Sequence, residues 1–150
     1  MTEIKKILFA VEVSSLAESV AKWADLMGRQ FDAEIHLLHV VPSLEYWGVA
    51  YAMDPGQMDD TNKIIEHAQN KLQAFSDEHL DAGLKIKSRV VIGAPAEEII
   101  TYVKQENISM IVMGTHGKSG LDRAIFGSVA DRVLRFSPVP VLTVNPHPAE

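Results

Sequence analysis

Apolar and polar positions along this chain follow two alternating periods. Five short runs, KKILFAV from Lys5, EIHLLHVV from Glu34, KIKSRVVI from Lys85, ISMIVM from Ile108 and VPVLTV from Val139, are strand-length and rich in Val, Ile and Leu. Helical patterns separate them. Val20, Trp23, Ala24, Met27 and Phe31 recur at helical spacing, and Ser15 with Glu18 forms an S-x-x-E capping box that satisfies free amides at a helix start. Residues 58 to 81 read as a second helix, closed by Asp81-Ala82-Gly83. Pro95 suits the first turn of a third, where Glu97 and Glu98 complement the helix dipole. A fourth begins near Ser128, with Val129, Val133 and Phe136 on one face and the Ser128 hydroxyl placed to cap it.

Strands that alternate with helices call for parallel pairing and right-handed crossovers, which predicts a doubly wound α/β fold: an open parallel sheet with helices on both faces. A continuous apolar run such as ISMIVM fits a strand buried on both sides. The last strand differs, because Pro138 and Pro140 cannot donate ladder hydrogen bonds, and this argues for a sheet edge open to a partner strand. At 150 residues the chain is one domain long, and residues 1–150 contain no internal repeat or linker. The least regular stretch, residues 42 to 56, carries Tyr46, Trp47, Tyr51 and Met53. Those side chains either pack over the helices, close over a ligand, or offer an apolar surface to a protein partner.

Composition narrows the function classes. The absence of cysteine removes disulfides, thiolate metal sites and thiol catalysis together. Glu12 interrupts the first apolar run too early for a secretory signal, and no segment approaches the roughly 18 apolar residues of a membrane span. A cytoplasmic protein is expected. A net charge of −6 disfavours nucleic-acid partners. The local balance is opposite between Gly114 and Phe136, where Lys118, Arg123, Arg132 and Arg135 outnumber Asp122 and Asp131.

That cationic stretch opens with GTHGKSGLDRAIFGS, residues 114 to 128, which holds four of the nine glycines. It follows the fourth strand and precedes the fourth helix, so loop and helix-start amides can converge on an anion, and glycine admits close approach. Gly117-Lys118-Ser119 mimics the end of a Walker A loop, but Val112 stands where that motif needs its first glycine. A G-x-G-x-x-G fingerprint is missing after the first strand, which also disfavours a flavin phosphate there. The spacing that stands out is Gly114, two residues, Gly117, nine residues, Gly127, then Ser128.

This spacing resembles the ATP-binding signature of the universal stress protein family. The likeness extends over KKILFAVEVSS, HLLHVV, VVIGAPAEEII and MGTHGKSGLDRAIFGSVADRVLRFSPVPVLTV, the last being the most specific. It implies a five-stranded sheet in the order 3-2-1-4-5, with ATP across strands one and four; ADP or AMP is an equal candidate for the resident ligand, and a divalent ion such as Mg²⁺ is expected to accompany a triphosphate. By the same resemblance Ala10, Val11 and Glu12 border adenine and ribose, Val40 lines the base pocket, and Met113 precedes the loop. Gly114, Gly117, Gly127, Ser128 and Val129 then hold ribose and phosphates. Homodimerisation through the last strand also follows from the resemblance and suits an exposed edge. Glu12 replaces the aspartate usual in ATP-binding members, which shifts the carboxylate by about one bond length, and Val13 replaces a glycine.

Individual side chains leave alternatives open. Lys118 and Arg123 either meet phosphate or solvate the loop, and His116 either neighbours phosphate or is a solvated loop residue. His36 and His39 are an odd number apart on one strand, so they face opposite sides and cannot share an ion. No residue is evidently placed to activate water, so a regulatory nucleotide-binding protein with at most slow hydrolysis is expected. The competing expectation is a nucleotide-free dimeric interaction module on the same fold.

Overall fold

Each of the five apolar runs becomes a strand and each helical pattern a helix. The computed structural model describes residues 3–12, 16–43, 58–115 and 127–146. In chain order the elements are β1 (Lys6–Ala10), α1 (Ala17–Phe31), β2 (Glu34–Pro42), α2 (Met58–His79), β3 (Ile86–Gly93), α3 (Pro95–Glu106), β4 (Met110–Gly114), α4 (Ser128–Phe136) and β5 (Val141–Val144). The five strands form one sheet in the order β3-β2-β1-β4-β5, with every pair parallel. β1 and β4 lie next to each other although they are remote in sequence, which is where the winding reverses.

Side-chain alternation on the central strands feeds two cores. Ile7 and Phe9 of β1, with Ile35 and Leu37 of β2, pack with Val20, Ala21 and Ala24 of α1 and Leu72 and Phe75 of α2. Leu8 and Leu38 face the other way and pack with Ile99, Tyr102 and Val103 of α3 and Ala130 and Val133 of α4. β5 is an edge strand whose paired neighbour is β4. The two prolines precede it, and Pro140 accepts the Ile111 amide through its carbonyl at 2.9 Å. Among the described residues no helix is long and apolar enough to cross a membrane.

Several local expectations are corrected. The buried face of α1 consists of Ala17, Val20, Ala21, Ala24 and Gly28, whereas Trp23 is 47% exposed and Phe31 43%. Small residues bring this helix close to the sheet: a Cβ on Gly28 would lie 2.8 Å from Cδ1 of the fully buried Ile35. The large side chains are left on the flanks. α1 has Leu16 at its N-cap, without a side-chain capping bond, and Ser15 lies outside the described residues. α2 ends at His79, two residues early, and Asp81 instead forms a turn in which its Oδ1 accepts the Gly83 amide at 2.7 Å. On α4 the buried residues are Ala130 and Val133, while Phe136 is 62% exposed. α3 follows expectation, with Pro95 leading and Glu97 and Glu98 in its first turn.

One buried polar cluster links β2 to α3. His36 is fully buried, with Nε2 2.6 Å from Glu34 Oε1 and Nδ1 2.8 Å from the Tyr102 hydroxyl. A carboxylate only accepts, so Nε2 carries the proton and Nδ1 accepts from Tyr102. Burial holds the His36 pKa below its ordinary 6.5, against the opposing pull of Glu34. Burial, reinforced by Glu106, pushes the Tyr102 hydroxyl up to about 12. Both groups are therefore neutral near pH 7.

Candidate functional site

At the carboxyl ends of β1 and β4 the register sets out a row. Ala10 pairs with Leu38 on one side and Met113 on the other, and Gly114, the next residue of β4, pairs with Val144. Met113 and Val11 are buried, while Glu12 is exposed just beyond the strand. Ala10, Val40 and Val129 are partly buried and pack against one core cluster, so the sheet and the start of α4 place two residues expected beside the base and one expected beside the phosphates on the same face.

The two described ends of the glycine stretch meet. Thr115 extends the β4 direction by donating its amide to the Val144 carbonyl at 2.9 Å, and its own carbonyl accepts the Gly127 amide at 2.7 Å. This bond brings Gly127 back to the end of β4. Gly127 then serves as the N-cap of α4, and its carbonyl takes the first helical bond, from Asp131, at 3.0 Å. Ser128 is the first helical residue, so the expected cap is displaced by one position and made without a side-chain bond. The amides of Ser128, Val129 and Ala130 have no acceptor within the helix and point from its positive end. Gly127 has φ −61° and ψ 140°, a conformation open to any residue. The backbone does not require glycine there; what glycine provides is the absence of a side chain.

Electrostatics of the cationic stretch are more balanced than the sequence suggests. Arg132 pairs with Glu97 of α3, and Arg135 with Asp131 at 3.2 Å. His116, Gly117, Lys118 and Arg123 lie outside the described residues, as do Tyr46, Trp47, Tyr51 and Met53. His36 and His39 do face opposite sides of β2, and among the described residues no group of three His, Asp or Glu side chains is arranged to hold a metal. A surface depression of about 270 Å³ between α3 and α4, lined by Glu97, Ile100, Thr101, Arg132 and Phe136, contains none of the predicted site residues. At the rim, His39 has a partner that strand alternation does not foretell: its Nδ1 is 2.8 Å from the Val11 carbonyl.

The model of the universal stress protein family matches residues 3–145. This chain belongs to the universal stress protein family. It is 32% identical to the universal stress protein MJ0577 of Methanocaldococcus jannaschii, over 94% of both chains. It is 27% identical to the universal stress protein YxiE of Bacillus subtilis, over 93% of this chain and 98% of that one. The solved structure of MJ0577 superposes with a TM-score of 0.84, covering 99% of this chain and 100% of that one. More distant members keep the same fold: a universal stress protein in complex with cAMP (TM-score 0.59, 18% identity) and one from Archaeoglobus fulgidus in complex with dAMP (TM-score 0.57, 16% identity). The family's sheet order, with helices on both faces, is the order found here.

Proposed function

We propose that this chain binds an adenine nucleotide, ATP or its products ADP and AMP, across the carboxyl ends of β1 and β4, and serves as a stress-response regulator. The observation that carries this reading is the Thr115–Gly127 closure, which sets Gly127 and the head of α4 beside Gly114 at the end of β4. Open sheets of this kind take ligands where the strand order reverses. A helix start together with a glycine that its backbone does not need is suited to a phosphate approaching the main chain. Two members of the same fold were solved with cAMP and dAMP, so the architecture accepts adenine nucleotides.

In this reading Ala10, Val11 and Val40 border the base, Glu12 meets ribose hydroxyls, and Met113 and Gly114 lead into the loop. Gly127, Ser128 and Val129 offer backbone amides to the phosphates, joined by Gly117 and by His116 and Lys118 from the loop. Mg²⁺, when bound, balances triphosphate charge and is held mainly by phosphate oxygens and water. With Glu12 as the crevice's described carboxylate, hydrolysis is slow and the bound state is the signal. The free edge of β5 pairs with a second copy to give a homodimer, and nucleotide state alters contacts of that dimer or of a further protein partner in the cytoplasm.

The longer side chain of Glu12 favours one other reading, a nucleotide-free dimeric module. Releasing small molecules from freshly purified protein and identifying them separates the two. Adenine nucleotide in near-stoichiometric amount supports the first reading; its absence, with no binding of ATP, AMP or FMN on addition, supports the second.

A further inference from the structure

His39 sits at the rim of the crevice and grips the residue before Glu12. Pairing of β1 with β2 ends at Ala10 and Leu38. One residue further, Val11 is held at both of its backbone groups: its amide donates to the Leu38 carbonyl at 2.8 Å, and its carbonyl accepts from His39 Nδ1 at 2.8 Å. In a continued parallel ladder that carbonyl would be taken by a backbone amide of β2, and β1 would run on in the sheet. An imidazole in that role lets the chain leave the sheet here while fixing the plane of the Val11–Glu12 peptide. Val11 itself is buried, so the peptide plane is set from both sides before the exposed Glu12 begins. A carbonyl cannot donate, so Nδ1 carries the hydrogen in the neutral ring and Nε2 does not.

We propose that His39 is a positioning residue for nucleotide recognition: through the Val11 carbonyl it sets the direction in which Glu12 leaves the sheet, and so the reach of the Glu12 carboxylate to the ribose hydroxyls. The inference rests on the nucleotide reading above and adds to it a residue that touches no ligand. A carboxylate longer by one methylene has an extra torsion to restrain, which makes a fixed origin more valuable for this chain than a shorter side chain would.

The test compares ATP with 2′,3′-dideoxy-ATP, which lacks the hydroxyls, by calorimetry on the full chain. His39→Leu is expected to weaken ATP by about tenfold, the worth of one hydrogen bond to a charged group, and to leave the dideoxy nucleotide unchanged. His39→Asn, which keeps a donor near the Nδ1 position, restores most of the ATP affinity. In a Glu12→Gln background His39→Leu has no further effect. Equal weakening of both nucleotides, no weakening, or an undiminished effect without the Glu12 charge overturns the proposal. The ring can also be read in the wild-type protein, independently of how the variants fold: nitrogen NMR of His39 should find Nδ1 protonated and Nε2 bare, and the opposite tautomer refutes the geometry. A wild-type protein that binds neither nucleotide refutes the nucleotide reading and this inference together, whereas binding that ignores His39 refutes this inference alone.

Discussion

Replacing Tyr102 with phenylalanine removes one oxygen from the interior and isolates a histidine. The Tyr102 hydroxyl donates to His36 Nδ1 at 2.8 Å, and His36 is fully buried with its other nitrogen committed to Glu34. No water has access to replace the lost donor, so the cost is that of an unsatisfied buried acceptor, about 1–3 kcal/mol, beyond the small loss of packing. Taking about 2 kcal/mol, a chain of this length should melt about 4–8 °C lower. Urea unfolding followed by circular dichroism measures the free energy directly, and an unchanged slope with urea concentration would assign the loss to the folded state. His36→Phe combined with Tyr102→Phe should cost less than the sum of the single changes, because neither partner is then left orphaned and the half-exposed Glu34 can turn to solvent. A loss below about 0.5 kcal/mol for Tyr102→Phe, or strict additivity in the double variant, would refute the assignment of this cluster as a coupled unit.

Three further outcomes are expected. Since burial holds the His36 pKa below 6.5, the unfolded chain takes up a proton that the folded one refuses, so stability is unaffected by this group above pH 6.5 and falls as pH drops below it. The difference between wild-type and His36→Phe stability profiles isolates that loss, and parallel profiles from neutral pH down to about 5 would contradict it. Gly28→Ala should destabilise by about 1–2 kcal/mol although alanine is the better helix former, because its Cβ meets Ile35 Cδ1 at 2.8 Å; equal or higher stability would mean that the helix can move off the sheet. Gly127→Val fits the observed φ of −61° and should change stability by no more than about 1 kcal/mol while abolishing ATP binding, so normal ATP affinity in that variant would displace the phosphates from the head of α4.

Strand identity was legible because parallel strands buried on both faces read as unbroken apolar runs, and ISMIVM lost only its first two residues to the turn before β4, whereas the strand order followed from the family resemblance and not from the pattern. Helix faces were less legible. Trp23, Phe31 and Phe136 carry the strongest hydrophobic signal at helical spacing, yet the buried faces are formed by Val20 and Val133 together with the small Ala21, Ala24, Gly28 and Ala130. Periodicity weights a residue by its hydrophobicity, whereas close helix–sheet approach selects small side chains and expels large ones to the flanks. The cap of α4 shifted from Ser128 to Gly127 for a related reason: the Gly127 amide is drawn to the Thr115 carbonyl, a contact between residues twelve apart that local patterning cannot anticipate. In the site, the spacing of Gly114 and Gly127 pointed to a shared role, but the bond that joins their surroundings depends on the β4–β5 pairing that first fixes Thr115. The His39 contact with Val11 is not legible in the sequence, because alternation reveals which way a side chain faces and not that a departing strand will leave a carbonyl for it to hold.

The central claim is that the carboxyl ends of β1 and β4 form an adenine-nucleotide site. Calorimetric titration of nucleotide-stripped protein with ATP tests it most directly. Saturable binding of one ATP per chain, lost in Gly127→Val and weakened in Glu12→Gln, is the predicted result; no heat of binding in the wild-type protein, or binding that both variants leave intact, would contradict it.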